Sequence, residues 1–179
     1  SLTVTDATIK GLENKDLESL RLPDSIDGVP VTRIGNKAFS DCLAVTSVNL
    51  PDSVTHIGDL AFNNCVSLSK VSFSKSLVKI GAGAFEGCSS LSSASLPDSV
   101  SEIGYYAFSN CSGMTKVRLP QSLVVINPYV FSGCSKLSSI DIPNTVTSIE
   151  RYAFMDCSSL KKVTIPSKVE KISSGAFKN

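Results

Sequence analysis

The sequence predicts a solenoid of the α/β repeat class, built from about seven turns of 23 residues. Three observations carry this prediction: a phenylalanine, a cysteine and an isoleucine each recur every 23 residues without a slip. Internal repeats of about 20–50 residues are typical of solenoids, in which each unit buries its apolar face against its neighbours. The phenylalanine column consists of Phe39, Phe62, Phe85, Phe108, Phe131, Phe154 and Phe177.

The first half of each unit is predicted to form a β-strand. Its pattern, Leu-x-x-Val-x-Leu-Pro, recurs between Leu17 and Pro166. In one copy, the apolar Ile140 and Ile142 alternate with polar residues, as a strand with one buried face requires. The following Pro143 cannot donate to a hydrogen-bond ladder and is expected to end the strand. The period and the leucine pattern together are typical of leucine-rich repeats.

The second half of each unit is predicted to form a short helical turn. Ala153, Phe154 and Cys157 lie at i, i+1 and i+4, which is one face of a helix. The residue before each cysteine is Asp, Asn or Gly, and these types tolerate a left-handed backbone. We therefore expect a positive φ in this column. Its members are Asp41, Asn64, Gly87, Asn110, Gly133 and Asp156.

Three regions depart from the repeat. The first turn carries five extra residues near 25–30, where the Asp-Gly and Val-Pro steps indicate a surface loop. Residues 1–16 match no landmark and are expected to form an N-terminal cap or linker before a solenoid of residues 17–179. The last turn is incomplete after Phe177. Because terminal repeats normally need capping, we expect the native protein to continue.

The composition argues against several classes of function. Hydrophobic residues make up 42% and charged residues 18%, which argues against disorder. The formal net charge of +1 argues against nucleic acid as a partner. No apolar run has transmembrane length, so we expect no direct membrane insertion, and no targeting segment is recognisable. The chain lacks a nucleophile–base set and a phosphate-binding glycine loop, so we predict no enzyme and no cofactor.

The cysteine column is interpreted as a buried ladder. No C-x-x-C pair occurs, and His56 is the one histidine, so the column does not resemble a zinc site. Small buried residues that stack between turns are the favoured interpretation, and a disulfide or metal array is the alternative. The cysteines are Cys42, Cys65, Cys88, Cys111, Cys134 and Cys157.

A hydroxyl column and the histidine are also interpreted as structural. The hydroxyls are expected to bond neighbouring backbone groups, because a catalytic serine would need a base that this column lacks. His56, whose equivalents in the next turns are Lys79 and Glu102, is expected on the surface of a second extended segment. The hydroxyl column is Ser53, Ser76, Ser99, Ser122 and Thr145, and it ends in Lys168.

The candidate ligand-binding residues are those that the repeat does not fix. On the strands, Lys70, Lys116, Arg118 and Lys162 outnumber the single Asp141, so this face is mildly basic and suits an acidic protein or glycan. The alternative is a solvated face that lysines keep soluble. These positions form two columns: Asn49, Ser72, Ser95, Arg118, Asp141 and Thr164, and Ser47, Lys70, Ser93, Lys116, Ser139 and Lys162.

A tyrosine column is the second candidate. Tyr106, Tyr129 and Tyr152 occupy one position in three successive turns. Exposed tyrosines suit protein or sugar recognition, because they offer contact area at a low entropic cost. The alternative is that the rings stack on one another and seal the edge of the solenoid.

The motif I-G-x-x-A-F-x-x-C-x-x-L-x-x-V-x-I-P resembles the BspA-like class of leucine-rich repeats, and the resemblance extends from Leu17 to Phe177. The segment from Ser25 to Val31 also resembles the entry repeat of that class. The resemblance implies a right-handed leucine-rich-repeat solenoid with a parallel β-sheet on its concave face. It also implies a bacterial or protozoan surface or secreted protein, often an adhesin that binds host or matrix proteins.

We therefore expect a non-catalytic, monomeric, cell-surface or secreted binding module that recognises a protein through its concave strand face. The alternatives are a structural spacer or stalk that presents another domain, and a glycan-binding module. No metal, catalytic or cofactor-binding residue is predicted.

Overall fold

The computed structural model describes residues 2–5, 8–12 and 17–179, and it consists of short strands joined by turns. In chain order the strands are β1 (Leu2–Thr5), β2 (Thr8–Leu12), β3 (Ser19–Arg21), β4 (Ser25–Ile26), β5 (Val29–Pro30), β6 (Arg33–Ile34), β7 (Ser47–Asn49), β8 (His56–Ile57), β9 (Lys70–Ser72), β10 (Lys79–Ile80), β11 (Ser93–Ser95), β12 (Glu102–Ile103), β13 (Lys116–Arg118), β14 (Val125–Ile126), β15 (Ile140–Asp141), β16 (Ser148–Ile149), β17 (Val163–Thr164) and β18 (Lys171–Ile172). Each regular turn contributes two strands.

The first strand of each turn belongs to what we call the first sheet: the parallel groups β3-β7-β9 and β11-β13-β15-β17. The register follows the repeat, since Ala94 pairs with Val117 and Ile140 pairs with Val163. These apolar residues point inward, and the polar residues on either side of them are exposed. The predicted strand with one buried face is confirmed.

The second strand of each turn belongs to what we call the second sheet: the groups β2-β6-β8-β10-β12 and β14-β16-β18. Arg33, His56, Lys79 and Glu102 pair in register on four successive parallel strands. Strand β2 begins this sheet by pairing with β6, and β1 pairs antiparallel with β2. The predicted second extended segment around His56 is confirmed.

The rest of each turn contains no helix within the described residues, so the predicted helical turn is wrong. The N–H of Phe39 donates to the carbonyl of Ala61 in the next turn at 2.7 Å, and the same bond recurs as far as Phe154 and Ala176. An α-helix would direct these N–H groups to carbonyls four residues earlier in the same segment. The fold is therefore a parallel-strand β-solenoid of about seven turns, and the α/β label does not describe it.

Residues with a left-handed backbone occupy two positions in the segment that follows the second strand of each turn, which we call the turn segment. The predicted column before each cysteine is confirmed, with φ of 57–75° from Asp41 to Asp156. A second column lies four residues earlier, with φ of 55–68°, and the sequence analysis missed it. Residues with positive φ interrupt a right-handed helix, which is a second reason why these segments form turns. The second column is Lys37, Leu60, Gly83, Tyr106, Tyr129, Tyr152 and Gly175.

The core is a set of parallel columns. In the phenylalanine column, the six residues from Phe39 to Phe154 are at most 1% exposed, and successive rings stack with centroids 5.1–5.6 Å apart. Phe177 extends the stack at the C-terminal end, where it is half-buried. No single turn could bury its own ring, so neighbouring turns complete the core for one another.

The insertion in the first turn lies on the surface, as expected, but it folds as a β-hairpin rather than an irregular loop. Strands β4 and β5 pair antiparallel around Asp27 and Gly28, whose φ angles are 51° and 78°. Two central residues with positive φ define the type I′ turn, and Asp-Gly between apolar residues is a sequence signal for it. Ile26 and Val29 supply those flanking residues.

Candidate ligand-binding surfaces

The outward residues of the first sheet form a strip of polar side chains along the solenoid. The strip consists of the two variable columns of the sequence analysis: Asn49, Ser72, Ser95, Arg118, Asp141 and Thr164, and Ser47, Lys70, Ser93, Lys116, Ser139 and Lys162. They are exposed, apart from the half-buried Ser47. Among these outward side chains, Arg118 alone makes a side-chain hydrogen bond or ion pair within the described residues. By contrast, Thr46 and Thr115, one position before the strands, bond backbone carbonyls of the preceding turn. Apart from Arg118, the strip is therefore available to a ligand without breaking side-chain contacts within the described residues.

The three lysines predicted on this strip do not form one cluster. Lys70 lies on β9, Lys116 lies on β13, and Lys162 directly precedes β17. Between them, Ser93 begins β11 and Ser139 directly precedes β15. Neighbouring lysines are therefore separated by two strand spacings, about 9.6 Å. The strip carries an evenly spaced row of positive charges rather than a concentrated patch.

Arg118 is tied to its surroundings more than the lysines are. Its guanidinium forms a 2.9 Å ion pair with Asp98 and donates to the carbonyl of Leu96 at 2.7 Å. The hydrogen bond from Arg118, helped by the backbone N–H of Gln121, lowers the pKa of Asp98 below its ordinary value. Because Asp98 offsets its charge, Arg118 adds less to the basic character of the strip than the sequence suggests.

The tyrosine column lies on the turn segments, so it is not part of the lysine strip. The rings of Tyr106 and Tyr129 stack with centroids 4.6 Å apart, and those of Tyr129 and Tyr152 lie 5.0 Å apart with a tilt of 37°. The Arg151 guanidinium lies 5.3 Å from the centre of the Tyr152 ring, within range of a cation–π contact. Tyr106 remains 40% exposed at one end of the stack. The rings therefore stack on one another, as one of the two interpretations expects, and a role of this column in binding stays a prediction.

The cysteine column is a buried ladder, as interpreted. The thiol of Cys65 donates to the carbonyl of Phe39 at 3.1 Å, and the equivalent bond recurs as far as Cys157 at 3.1–3.2 Å. Burial raises the pKa of Cys157 to about 12 and raises the pKa values of Cys88, Cys111 and Cys134 as well. Since the thiolate is the reactive form, burial disfavours nucleophilic reaction and metal binding at these thiols.

The hydroxyl column also has the predicted structural role. Ser53, Ser99, Ser122 and Thr145 each donate to a backbone carbonyl 22 residues earlier, at 2.6–2.8 Å. In the turn that contains Ser76, the hydroxyl of the neighbouring Ser74 bonds the preceding turn instead. These bonds join each turn to the one before it as the chain leaves the first sheet.

His56 lies in a groove that sequence reasoning missed. It is half-buried rather than exposed, and it lines a cavity of about 760 Å³ on the second sheet together with Lys10, Arg33 and Lys79. The missed signal was the in-register succession of Arg33, His56 and Lys79 on three strands. Of the described residues in the lining, Asp59 is the one that is acidic.

The electrostatics of the groove are governed by its cations. Partial burial lowers the pKa of His56, and the positive charges of Arg33 and Lys79 lower it further. Lys79 is paired at 2.8 Å with Glu102, which lies outside the lining. The carboxylate of Asp59 accepts the backbone N–H of Ala82 at 2.8 Å. An anion that entered this groove would therefore meet mostly positive charge.

Across the described ranges, no group of three or more His, Cys, Asp or Glu side chains is arranged to hold a metal ion. In the same part of the chain, no helix is long and apolar enough to cross a membrane.

A family model for the BspA type leucine rich repeat region matches residues 10–113 and 57–179, with six copies of the repeat. No curated protein matches the chain.

Solved bacterial structures share the fold. A leucine rich repeat protein from T. pallidum is 30% identical with a TM-score of 0.87, and the match covers 99% of this chain and 86% of that one. A leucine rich cell surface protein from Faecalibacterium prausnitzii is 35% identical with a TM-score of 0.86, over 95% of this chain. A leucine-rich repeat protein from Bacteroides ovatus is 26% identical with a TM-score of 0.68, over 97% of this chain. The chain spans 47% and 53% of the length of the Faecalibacterium and Bacteroides proteins, respectively.

Proposed function

Because the chain belongs to the BspA type leucine rich repeat family, we propose that it is a non-catalytic binding module of a cell-surface or secreted protein. The cellular location is supported by the similar Faecalibacterium protein, which is described as a cell surface protein. In this proposal the module recognises an acidic protein through the outward strip of the first sheet.

The observation that carries the proposal is the contrast between the two sides of the first sheet. The inward residues Ala94, Val117 and Ile140 form a fixed apolar column, whereas the outward residues change from turn to turn. The outward side chains other than Arg118 make no hydrogen bond or ion pair within the described part of the chain. A repeat protein binds through the positions that its repeats leave variable, and parallel strands hold those positions in a rigid array.

The charge of the strip indicates the class of partner. Lys70, Lys116 and Lys162 are exposed on it, and Asp141 is its one acidic residue. Exposed charges are screened within about 8 Å at physiological ionic strength, so binding that depends on these lysines is expected to weaken as salt is added. A protein with a row of acidic side chains fits this pattern.

The test is a binding screen of the module against immobilised extracellular matrix and secreted proteins at low and moderate salt. A ligand found in this screen is then tested against the triple variant Lys70→Glu, Lys116→Glu and Lys162→Glu, and we expect binding to fall by about tenfold or more. The control triple, Lys37→Glu, Lys136→Glu and Lys168→Glu, changes the net charge equally at exposed positions outside the strip.

The two triple variants separate a site from a general charge effect. Loss of binding in the strip variant alone supports the proposal. Equal loss in both variants, or no protein bound at micromolar concentration, would contradict it.

A further inference from the structure

The groove on the second sheet gathers basic side chains from four neighbouring strands. Lys10 lies on β2, Arg33 on β6, His56 on β8 and Lys79 on β10, and all four line the same cavity. Parallel strands lie about 4.8 Å apart, so long side chains on adjacent strands can reach a single bound group. The strand pairing holds this arrangement in place, because Arg33, His56 and Lys79 are partners in register.

The positive charge of the groove is concentrated and only partly compensated, since Lys79 is paired with Glu102 whereas Lys10 and Arg33, in the part of the chain that the structure describes, are not. The whole chain has a formal net charge of +1, yet among the described residues the lining holds Lys10, Arg33 and Lys79 against the single Asp59. Within the described residues, neither Lys10 nor Arg33 has an ion-pair partner. A cleft lined by charges of one sign raises the local concentration of ions of the opposite sign.

We propose that this groove binds a phosphate or sulfate ester carried by a sugar-sized ligand. The guanidinium of Arg33 offers two parallel donors to an oxyanion, and Lys79 and His56 add donors from the next strands. Donors from three strands suit a tetrahedral group with several acceptor oxygens better than a planar carboxylate with two. The cavity of about 760 Å³ is larger than one anion needs and lies within the range of small-molecule sites.

His56 makes the proposed site sensitive to pH. The hydroxyl of Thr55 donates to the carbonyl of Thr32 at 3.2 Å and lies 2.8 Å from Nδ1 of His56. A neutral ring has an N–H donor at only one of its two nitrogens, whereas a protonated ring has a donor at both and carries a positive charge.

The groups around His56 set the direction of the pH effect. Partial burial disfavours a positive charge on the ring, Arg33 on β6 and Lys79 on β10 oppose it further, and Glu102 on β12 favours it, so the pKa of the ring lies below its ordinary value. The negative charge of a bound oxyanion favours the protonated ring and therefore raises the pKa of His56 again. Affinity for the anion is therefore expected to rise as the pH falls toward the pKa of His56.

The site is tested by isothermal titration with glucose 6-phosphate, glucose 6-sulfate and glucuronate, which differ in the anionic group on a similar ring. We expect both esters to bind and glucuronate to bind at least about fivefold more weakly. Arg33→Gln and Lys79→Gln are each expected to weaken ester binding by about tenfold or more. The control Lys136→Gln removes one exposed charge outside the groove and is expected to leave ester binding unchanged.

The sulfate ester isolates the role of His56, because its charge stays constant between the two pH values of the test. A phosphate ester has a second pKa of about 6, so its own charge would change over the same range. We expect wild-type protein to bind the sulfate ester more tightly at about pH 5.5 than at about pH 7.5, and His56→Gln to abolish this difference. Thermal unfolding of each variant checks that the fold is intact.

Four results would overturn the proposal. These are no ester binding at millimolar concentration, equal binding of glucuronate, equal losses for Lys136→Gln and Arg33→Gln, or a pH effect that persists in His56→Gln. The groove and the strip of the first sheet share no residue. A failed ester titration therefore leaves the protein-binding proposal intact, and the reverse also holds.

Discussion

Two aromatic columns run along this molecule with the same period, one inside and one outside. The phenylalanine rings stack at 5.1–5.6 Å and the tyrosine rings at 4.6–5.0 Å. Phe85 is fully buried, whereas Tyr106 is 40% exposed. The spacing of the turns imposes stacking on both columns. Stacking geometry alone therefore does not distinguish a ring that stabilises the fold from one that is available to a ligand.

The backbone under the two columns also differs. Each tyrosine of the column (Tyr106, Tyr129 and Tyr152) has a φ of 57–58°, in the left-handed region. The phenylalanines are not among the residues with positive φ. A residue with a Cβ in the left-handed region costs roughly 1–2 kcal/mol. Tyr129 therefore carries a backbone penalty that Phe85 does not, although their rings stack in a similar way.

Of the substitutions considered, Phe85→Ala is expected to lower the free energy of unfolding most. Phe85 stacks between Phe62 and Phe108 at 5.2 and 5.3 Å, and Phe73 packs edge-on against it at 5.7 Å. Removing a fully buried ring with neighbours on three sides leaves a cavity, so we expect the free energy of unfolding to fall by about 3–5 kcal/mol. Equilibrium unfolding in urea measures the change.

Phe177→Ala is the matched control for that loss. Phe177 stacks on one side only, against Phe154, and it is half-buried. We expect Phe177→Ala to lower the free energy of unfolding by about half as much as Phe85→Ala, since less buried apolar surface is removed. Similar losses for the two variants would contradict the view that burial, rather than stacking, sets the contribution of each ring.

The second prediction sharpens the contrast between the backbones. At Phe85, substitution by glycine is expected to cost about 0.5–1 kcal/mol more than substitution by alanine, because glycine adds chain entropy to the unfolded state. At Tyr129 the order is expected to reverse. Glycine relieves the left-handed strain that alanine retains, so Tyr129→Gly should be more stable than Tyr129→Ala by about 1 kcal/mol.

Urea unfolding of the four variants checks this reversal. The chain already uses glycine in the tyrosine column, at Gly83 and Gly175. If Tyr129→Ala were as stable as Tyr129→Gly, backbone strain would not distinguish the two columns.

Much of the fold could be predicted because the buried columns tolerate few residue types. The phenylalanines and the cysteines were found from their spacing, and the left-handed residues from Asp41 to Asp156 from their spacing and residue types together. The helical turn was predicted wrongly because Ala153, Phe154 and Cys157 have the spacing of a helix face. Apolar spacing shows which side chains are buried but not which carbonyl each N–H bonds. In this fold, alternate N–H groups bond the next turn.

The part of the groove formed by β2 was missed because its register does not follow the 23-residue period. Thr8 pairs with Arg33 across 25 residues, a span that includes the inserted hairpin, whereas Arg33, His56 and Lys79 follow the 23-residue period. A search limited to the regular repeat leaves out Lys10 and the strand that carries it. The strip of the first sheet was identified from its variable positions, and its role in binding stays a prediction.

The smallest predicted effect concerns an ion pair at the outer edge of the last turns. Lys171 donates to both carboxylate oxygens of Glu150 at 3.0 and 3.1 Å, and Ser173 donates to one of them at 3.0 Å. These bonds, with that from Lys171 the largest contribution, lower the pKa of Glu150 in the folded state. Lowering the folded pKa favours the folded protein above the unfolded pKa, and this contribution is lost as the pH falls through the folded value.

Glu150→Gln is therefore expected to be less stable than wild type at about pH 7 by about 0.2–1 kcal/mol, a difference that shrinks toward zero at about pH 3. Urea unfolding at both pH values measures this, and Glu170→Gln is the control, since Glu170 is exposed and makes no ion pair within the described residues. The control should lose as much stability as wild type between the two pH values. A Glu150→Gln curve parallel to that of the control would show that this outer contact does not stabilise the fold. The stability of the last turns would then come from the buried columns.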